Sequence, residues 1–156
     1  MPARKVRKAA PKKNPVRRSA ITKQDIAITP LLHNPRIIKG TVKKGLGEGA
    51  RYVAAYKSVL KRKLGFEPYI GTLNIHMKGK QDLRFFDDPI MVPAPKKGLC
   101  QVACYPIAIN YTLEGAVVIP KKTRNPKSVI EILAPVNLRE TLGLKDGDDV
   151  VCLRLV

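Results

Sequence analysis

The chain is short of acids, cysteines, histidines and long apolar runs, and each shortage removes a class of protein. Twelve Asp and Glu stand against thirty Lys and Arg in 156 residues, a formal net charge of +18. That excludes an acidic chain and makes polyanions such as phosphates or nucleic acid natural partners. Cys100, Cys104 and Cys152 are odd in number and form no CxxC pair, and His33 and His76 lie far from them in sequence. Neither a zinc site nor a disulfide framework is expected, and all three thiols read as small buried hydrophobes. No apolar stretch approaches the roughly 20 residues that span a bilayer, and no signal-type apolar segment sits near the start, so a cytoplasmic protein without a membrane partner is expected.

What is present suffices for one domain. Hydrophobic residues make up 44% of the chain, enough for a core without covalent staples. Nine of the thirty basic residues and none of the acids fall within Met1 to Lys23, so half of the net charge sits in this tail. Pro2, Pro11 and Pro15 break any apolar face there, and residues 1–23 read as a disordered basic tail. It serves either as a solubilising extension or as an arm making non-specific nucleic-acid contacts. Residues 24–35 form a more apolar lead-in, and residues 36–156 form the folded domain.

Six Val- and Ile-rich runs bounded by Gly, Pro, Asn or Asp predict strands over 36–43, 71–77, 99–109, 114–119, 128–133 and 149–156. Between Val53 and Leu64, apolar residues at helical spacing predict one amphipathic helix, with Gly65 where a C-terminal cap belongs. A second, short helix is predicted between Asn137, a side-chain N-cap with Glu140 three residues on, and Gly143. Two small helices among six strands suit a closed β-barrel better than a doubly wound sheet, which needs a helix after each strand.

Several motifs carry chemistry, each with a plainer alternative. Gly45-Leu46-Gly47-Glu48-Gly49-Ala50 follows a strand, and missing side chains let backbone N–H groups turn toward an anion; a flexible turn has the same composition. Thr72 and Asn74 share one face of a strand, where two oxygens can hold a hard cation completed by phosphates and water, or simply meet solvent. Pro120-Lys121-Lys122-Thr123 is a basic loop for phosphate or for water. Glu131 interrupts the apolar run Val129 to Leu133, where a carboxylate is expensive unless it has a partner, faces a polar site or sits on an exposed edge strand. Val136-Asn137-Leu138-Arg139 sets an Arg near a helix start, for an anion or for a surface ion pair.

Taken together, Gly45 to Gly49, Leu64 to Tyr69 with Gly71 to Asn74, Pro120 to Thr123, and Glu131 to Arg139 with Leu144 to Asp148 resemble the archaeal CTP-dependent riboflavin kinases. The resemblance covers about Ile37 to Val156. It implies a mainly β fold, a six-stranded cradle-loop barrel, and transfer of the γ-phosphoryl of CTP to the 5′-hydroxyl of riboflavin, giving FMN and CDP. By the same resemblance, Leu46, Gly47, Glu48, Gly49, Ala50 and Arg51 hold the nucleotide together with Val136, Asn137, Leu138 and Arg139. Thr72 and Asn74 bind Mg²⁺, and Thr123 and Glu131 contact the flavin. Glu131 is the candidate to orient or deprotonate the hydroxyl, and a monomer is expected. The stretch Val53 to Tyr56 departs from the family pattern, reading as shorter than the usual strand and turn before the helix. Two alternatives stand beside this one: a swapped-hairpin DNA-binding regulator, resembled by Val118 to Lys122 and Leu142 to Asp148, and an ATP-dependent riboflavin kinase.

Overall fold

The computed structural model describes residues 34–156; the basic tail 1–23 and the lead-in up to residue 33 lie outside the described residues. The elements are β1 (Ile37–Lys43), α1 (Gly49–Leu64), β2 (Leu73–Met77), a 3-10 turn (Leu83–Phe86), β3 (Ile90–Val92), β4 (Val102–Ile109), β5 (Leu113–Pro120), β6 (Val129–Leu133), α2 (Leu138–Leu142) and β7 (Asp149–Arg154). All pairings are antiparallel, in the order β3-β4-β5-β6-β2-β1-β7, and β4 also pairs with β7. Six strands therefore close on themselves as a barrel, as expected, and β3 is added at the margin, on the first half of β4.

Strand alternation sends side chains to two different cores. Ile38, Ile75, Ile107, Ile109, Val117, Ile132 and Val150 fill the lumen, all essentially inaccessible to solvent. Arg154 closes one end of this barrel as a buried guanidinium held by five carbonyls: it donates to the oxygens of Phe85 (3.2 Å), Pro106 (3.1 Å), Leu155, Asp87 (3.3 Å) and Asp88 (3.0 Å) and lies over the Tyr105 ring. Satisfying every donor in this way is what makes a buried charge tolerable.

The second core lies outside the barrel, where α1 covers part of its wall. Val53, Tyr56 and Leu60 of the helix meet Val92, Val102, Cys104 and Leu133. Tyr56 Oη fastens the helix to the loop before β4, donating to the Cys100 carbonyl and accepting from its N–H. The C-terminus ends as expected, with Gly65 at φ 79° and its N–H on the Lys61 carbonyl.

Three expectations need correction. The first helix begins at Gly49, four residues before Val53, so Gly49, Ala50 and Arg51 are its first turn and Val53 to Tyr56 is helical. β3 and the 3-10 turn went unseen. Of the three thiols, Cys104 and Cys152 are buried and pushed up to about 12 by desolvation, but Cys100 is only half-buried. The short helix is as expected, with Asn137 Oδ1 accepting from the Glu140 N–H at 3.2 Å and Gly143 at φ 62°.

Candidate functional site

Between α1 and the barrel wall the second core is incomplete, leaving a cavity of about 220 Å³. Its floor follows one cross-strand row: Asn74 of β2 pairs with Glu131 of β6, and Glu131 with Val118 of β5. The row runs from polar to apolar. At the polar end stand Thr72, Asn74, Glu131 and the glycine loop; at the other, Tyr56, Leu60, Leu99, Val102 and Leu133. Such a cavity suits an elongated small molecule with one hydrophilic and one apolar end.

Thr72 Oγ1 donates to Glu131 Oε1 at 3.0 Å. Glu131 lies on β6, flanked by β2 and β5, so it is not the carboxylate of an exposed edge strand. Burial raises its pKa above the ordinary carboxylate value, the Thr72 bond opposes this, and the charge of Glu48 adds to it. Across the cavity mouth Glu48 meets Arg124 at 3.5 Å. Glu48 is also the N-cap of α1, yet its side chain makes no bond to the first turn. The N-terminus of this 16-residue helix, with its unpaired amides and the positive end of its dipole, thus opens at the cavity lining, through Glu48 and Gly49.

A second, smaller cavity of about 140 Å³ is lined by Tyr69, Gly71, Thr72, Ile132, Val136, Asn137, Leu138 and Arg139. Thr72 belongs to both cavities. Asn137 Nδ2 donates to Tyr69 Oη at 3.1 Å, and Arg139 reaches Asp146 at 2.6 Å. The expected site residues are therefore divided. Leu46, Gly47, Glu48 and Gly49, with Asn74, Thr123 and Glu131, line the large cavity; Val136 to Arg139 line the small one. Ala50 and Arg51 are exposed and line neither, and of the two lysines only Lys122 reaches a cavity. Tyr52, Tyr56, Leu99 and Cys100 line the large cavity but were not singled out from sequence, because an apolar residue in an amphipathic pattern signals core and ligand wall alike.

The donor set fits a hard cation. Thr72 and Asn74 flank Leu73, whose side chain enters the lumen, so both face outward beside the glycine loop. With its hydrogen given to Glu131, the Thr72 oxygen keeps its lone pairs, and the Asn74 amide adds a neutral oxygen. Among the described residues no group of three or more His, Cys, Asp or Glu can hold a metal. Mg²⁺ keeps several waters, so two neutral protein oxygens can suffice where phosphates complete its octahedron.

A closed barrel with a graded cavity beside a helix N-terminus and a second pocket sharing Thr72 is suited to holding small molecules, and comparison with known proteins gives the family. Residues 42–153 match the model of the CTP-dependent riboflavin kinase domain, CTP-dep_RFKase, described as a domain of unknown function, DUF120. A curated riboflavin kinase of Saccharolobus solfataricus is 47% identical over 123 residues, covering 72% of this chain and 70% of its own. Relatives of the same description are 45% identical in Sulfurisphaera tokodaii, over 78% of this chain and 94% of the relative, and 44% identical in Pyrococcus furiosus, over 73% and 56%. The chain belongs to the CTP-dependent riboflavin kinase family. Among the described residues no helix is long and apolar enough to cross a membrane.

Proposed function

We propose that this chain transfers the γ-phosphoryl group of CTP to the 5′-hydroxyl of riboflavin, giving FMN and CDP. One observation carries the reading: Thr72 is common to two cavities, one long and graded from polar to apolar, the other small and polar at its rim. The isoalloxazine ring suits the apolar end of the large cavity, among Leu60, Leu99 and Val102, and its ribityl chain the end near Glu131 and Thr123. The nucleoside suits the small cavity between Tyr69 and Arg139. Its phosphates then pass Thr72 toward the amides of Gly47 to Gly49, so that donor and acceptor meet at Thr72.

Phosphoryl transfer asks little covalent work of a protein; positioning and compensation of charge provide most of the rate. Thr72 and Asn74 would hold Mg²⁺, which when bound supplies positive charge over the phosphate oxygens. The first turn of α1 lends backbone N–H groups and dipole, and Lys122 and Arg124 stand at the rim. Glu131, half-buried beside Thr72, is placed to accept a hydrogen bond from the ribityl hydroxyl and to orient it. Incubating the chain with Mg²⁺, riboflavin and either CTP or ATP, and resolving FMN by chromatography, tests the proposal. FMN should form with CTP and far more slowly with ATP; equal rates would remove the cytidine preference, and no FMN with either would reject the reading.

A further inference from the structure

The glycine loop is usually read through its backbone, but the positions of its glycines point elsewhere. Only Gly47 has a left-handed backbone, at φ 81°, and open space surrounds it. Gly45 and Gly49 have no such backbone need and stand against side chains. A Cβ built on Gly45 would lie 2.3 Å from Asn74 Nδ2 and 3.0 Å from its Cγ; one built on Gly49 would lie 2.3 Å from Thr72 Oγ1. Gly49 is the first residue of α1, so neither a left-handed backbone nor the helix itself calls for glycine there.

We propose that Gly45 and Gly49 are positioning residues, sockets that seat the side chains of Asn74 and Thr72 and so fix the direction of their oxygens toward a divalent cation. Thr72 is gripped from two sides, by Glu131 through its hydroxyl hydrogen at 3.0 Å and by the Gly49 backbone where a methyl would otherwise stand. A methyl at 49 would be too close only to Thr72 Oγ1, a side-chain atom, while Thr72 Cβ and the Thr72 backbone nitrogen, both at 3.4 Å, lie at ordinary contact distance. The threonine yields by rotating, the fold is kept, and the hydroxyl leaves both Glu131 and the cation. The inference rests on the cation site described above, and it gives the loop a second role: fixing the metal ligands as well as meeting phosphate.

A double-mutant cycle separates this from a general disturbance of the loop. Gly49→Ala, Thr72→Ala and the pair are made in the full chain, and Mn²⁺ affinity in the presence of CDP is followed by electron paramagnetic resonance beside kcat/KM and thermal melting. Gly49→Ala should lower Mn²⁺ affinity about 10- to 100-fold, the range for groups that orient a metal ligand, with no fall in melting temperature. In the Thr72→Ala background the same change should then matter less than about twofold, since the side chain it displaces is gone. Full additivity, or a Gly49→Ala protein that binds Mn²⁺ as the parent does, overturns the socket. Should the parent itself fail to bind Mn²⁺ with CDP, the donor reading falls instead. The crystal structure of Gly49→Ala then decides the socket: Thr72 Oγ1 still on Glu131 refutes it, and a rotated Thr72 upholds it.

Discussion

The lumen of the barrel and the wall beneath α1 are built from the same strands, yet they differ in how completely they are filled. Inside, Ile38, Ile75, Ile107, Ile109 and Ile132 belong to one buried cluster. Outside, the same β2 and β6 present Asn74 and Glu131, and the helix leaves about 220 Å³ open above them. Closing the sheet satisfies its edges and concentrates apolar burial in the lumen, where each fully buried aliphatic side chain contributes about 1.5–3 kcal/mol. The outer face can then keep a cavity and a half-buried carboxylate, features that would weaken a molecule relying on that face for its core. Stability and site are divided between the two sides of a single sheet.

That division can be broken in two directions. Ile107→Ala strikes the lumen only: the side chain is wholly buried, and its truncation should cost about 2–5 kcal/mol of stability, a large share of the roughly 5–15 kcal/mol of an ordinary domain. Denaturant unfolding would show it, while kcat per folded molecule should be unchanged; a loss of turnover without loss of stability would mean that the lumen shapes the site directly. Asn74→Ala strikes the outer face. Under the proposed reading it removes a cation ligand, and turnover should fall about 100-fold, equivalent to about 2.7 kcal/mol of barrier. The melting temperature should stay within a few degrees of the parent's, and FMN formation at parental rates would remove Asn74 from the machinery.

The lumen was legible from sequence and the outer cavity only in part, for related reasons. Runs such as Val129 to Leu133 are almost continuously apolar because both faces of the sheet are covered, and turn residues bound them, so six strands could be read to within a few residues of their ends. β3 escaped because Ile90–Val92 lies between Pro89 and Pro93 and pairs on one side only, too short and too proline-flanked to show a period. The start of α1 escaped because Glu48 makes no side-chain cap and the apolar period begins only at Val53. Glu131 stood out because a carboxylate in an apolar strand requires an account, Thr72 and Asn74 because they share one strand face, and only the family resemblance joined them into a site. Tyr56 and Cys100 did not, because what makes them line a cavity is where the helix docks, and local pattern carries no information on that.

The same contrast of open and fastened can be sharpened along α1 itself. Its N-terminus, at the site, carries no side-chain cap, whereas its C-terminus is stapled: Glu67, just past the helix, meets Lys57 at 2.9 Å and Lys61 at 3.3 Å. The hydrogen bond from Lys57, then that from Lys61, holds the Glu67 carboxyl below its ordinary value. A depressed carboxylate contributes stability that is present above the unfolded-state pKa and lost as pH falls through the folded one. Glu67→Gln should therefore melt slightly below the parent at neutral pH, with the two curves merging as acid protonates Glu67 in the parent. Both partners are well exposed, so the difference should also shrink in high salt, as expected of a solvated pair. Turnover should not change at neutral pH, because the staple is at the far end of the helix from Gly49. A change in kcat without a change in melting would show that the two ends of α1 are mechanically coupled and that the site depends on how the whole helix is seated.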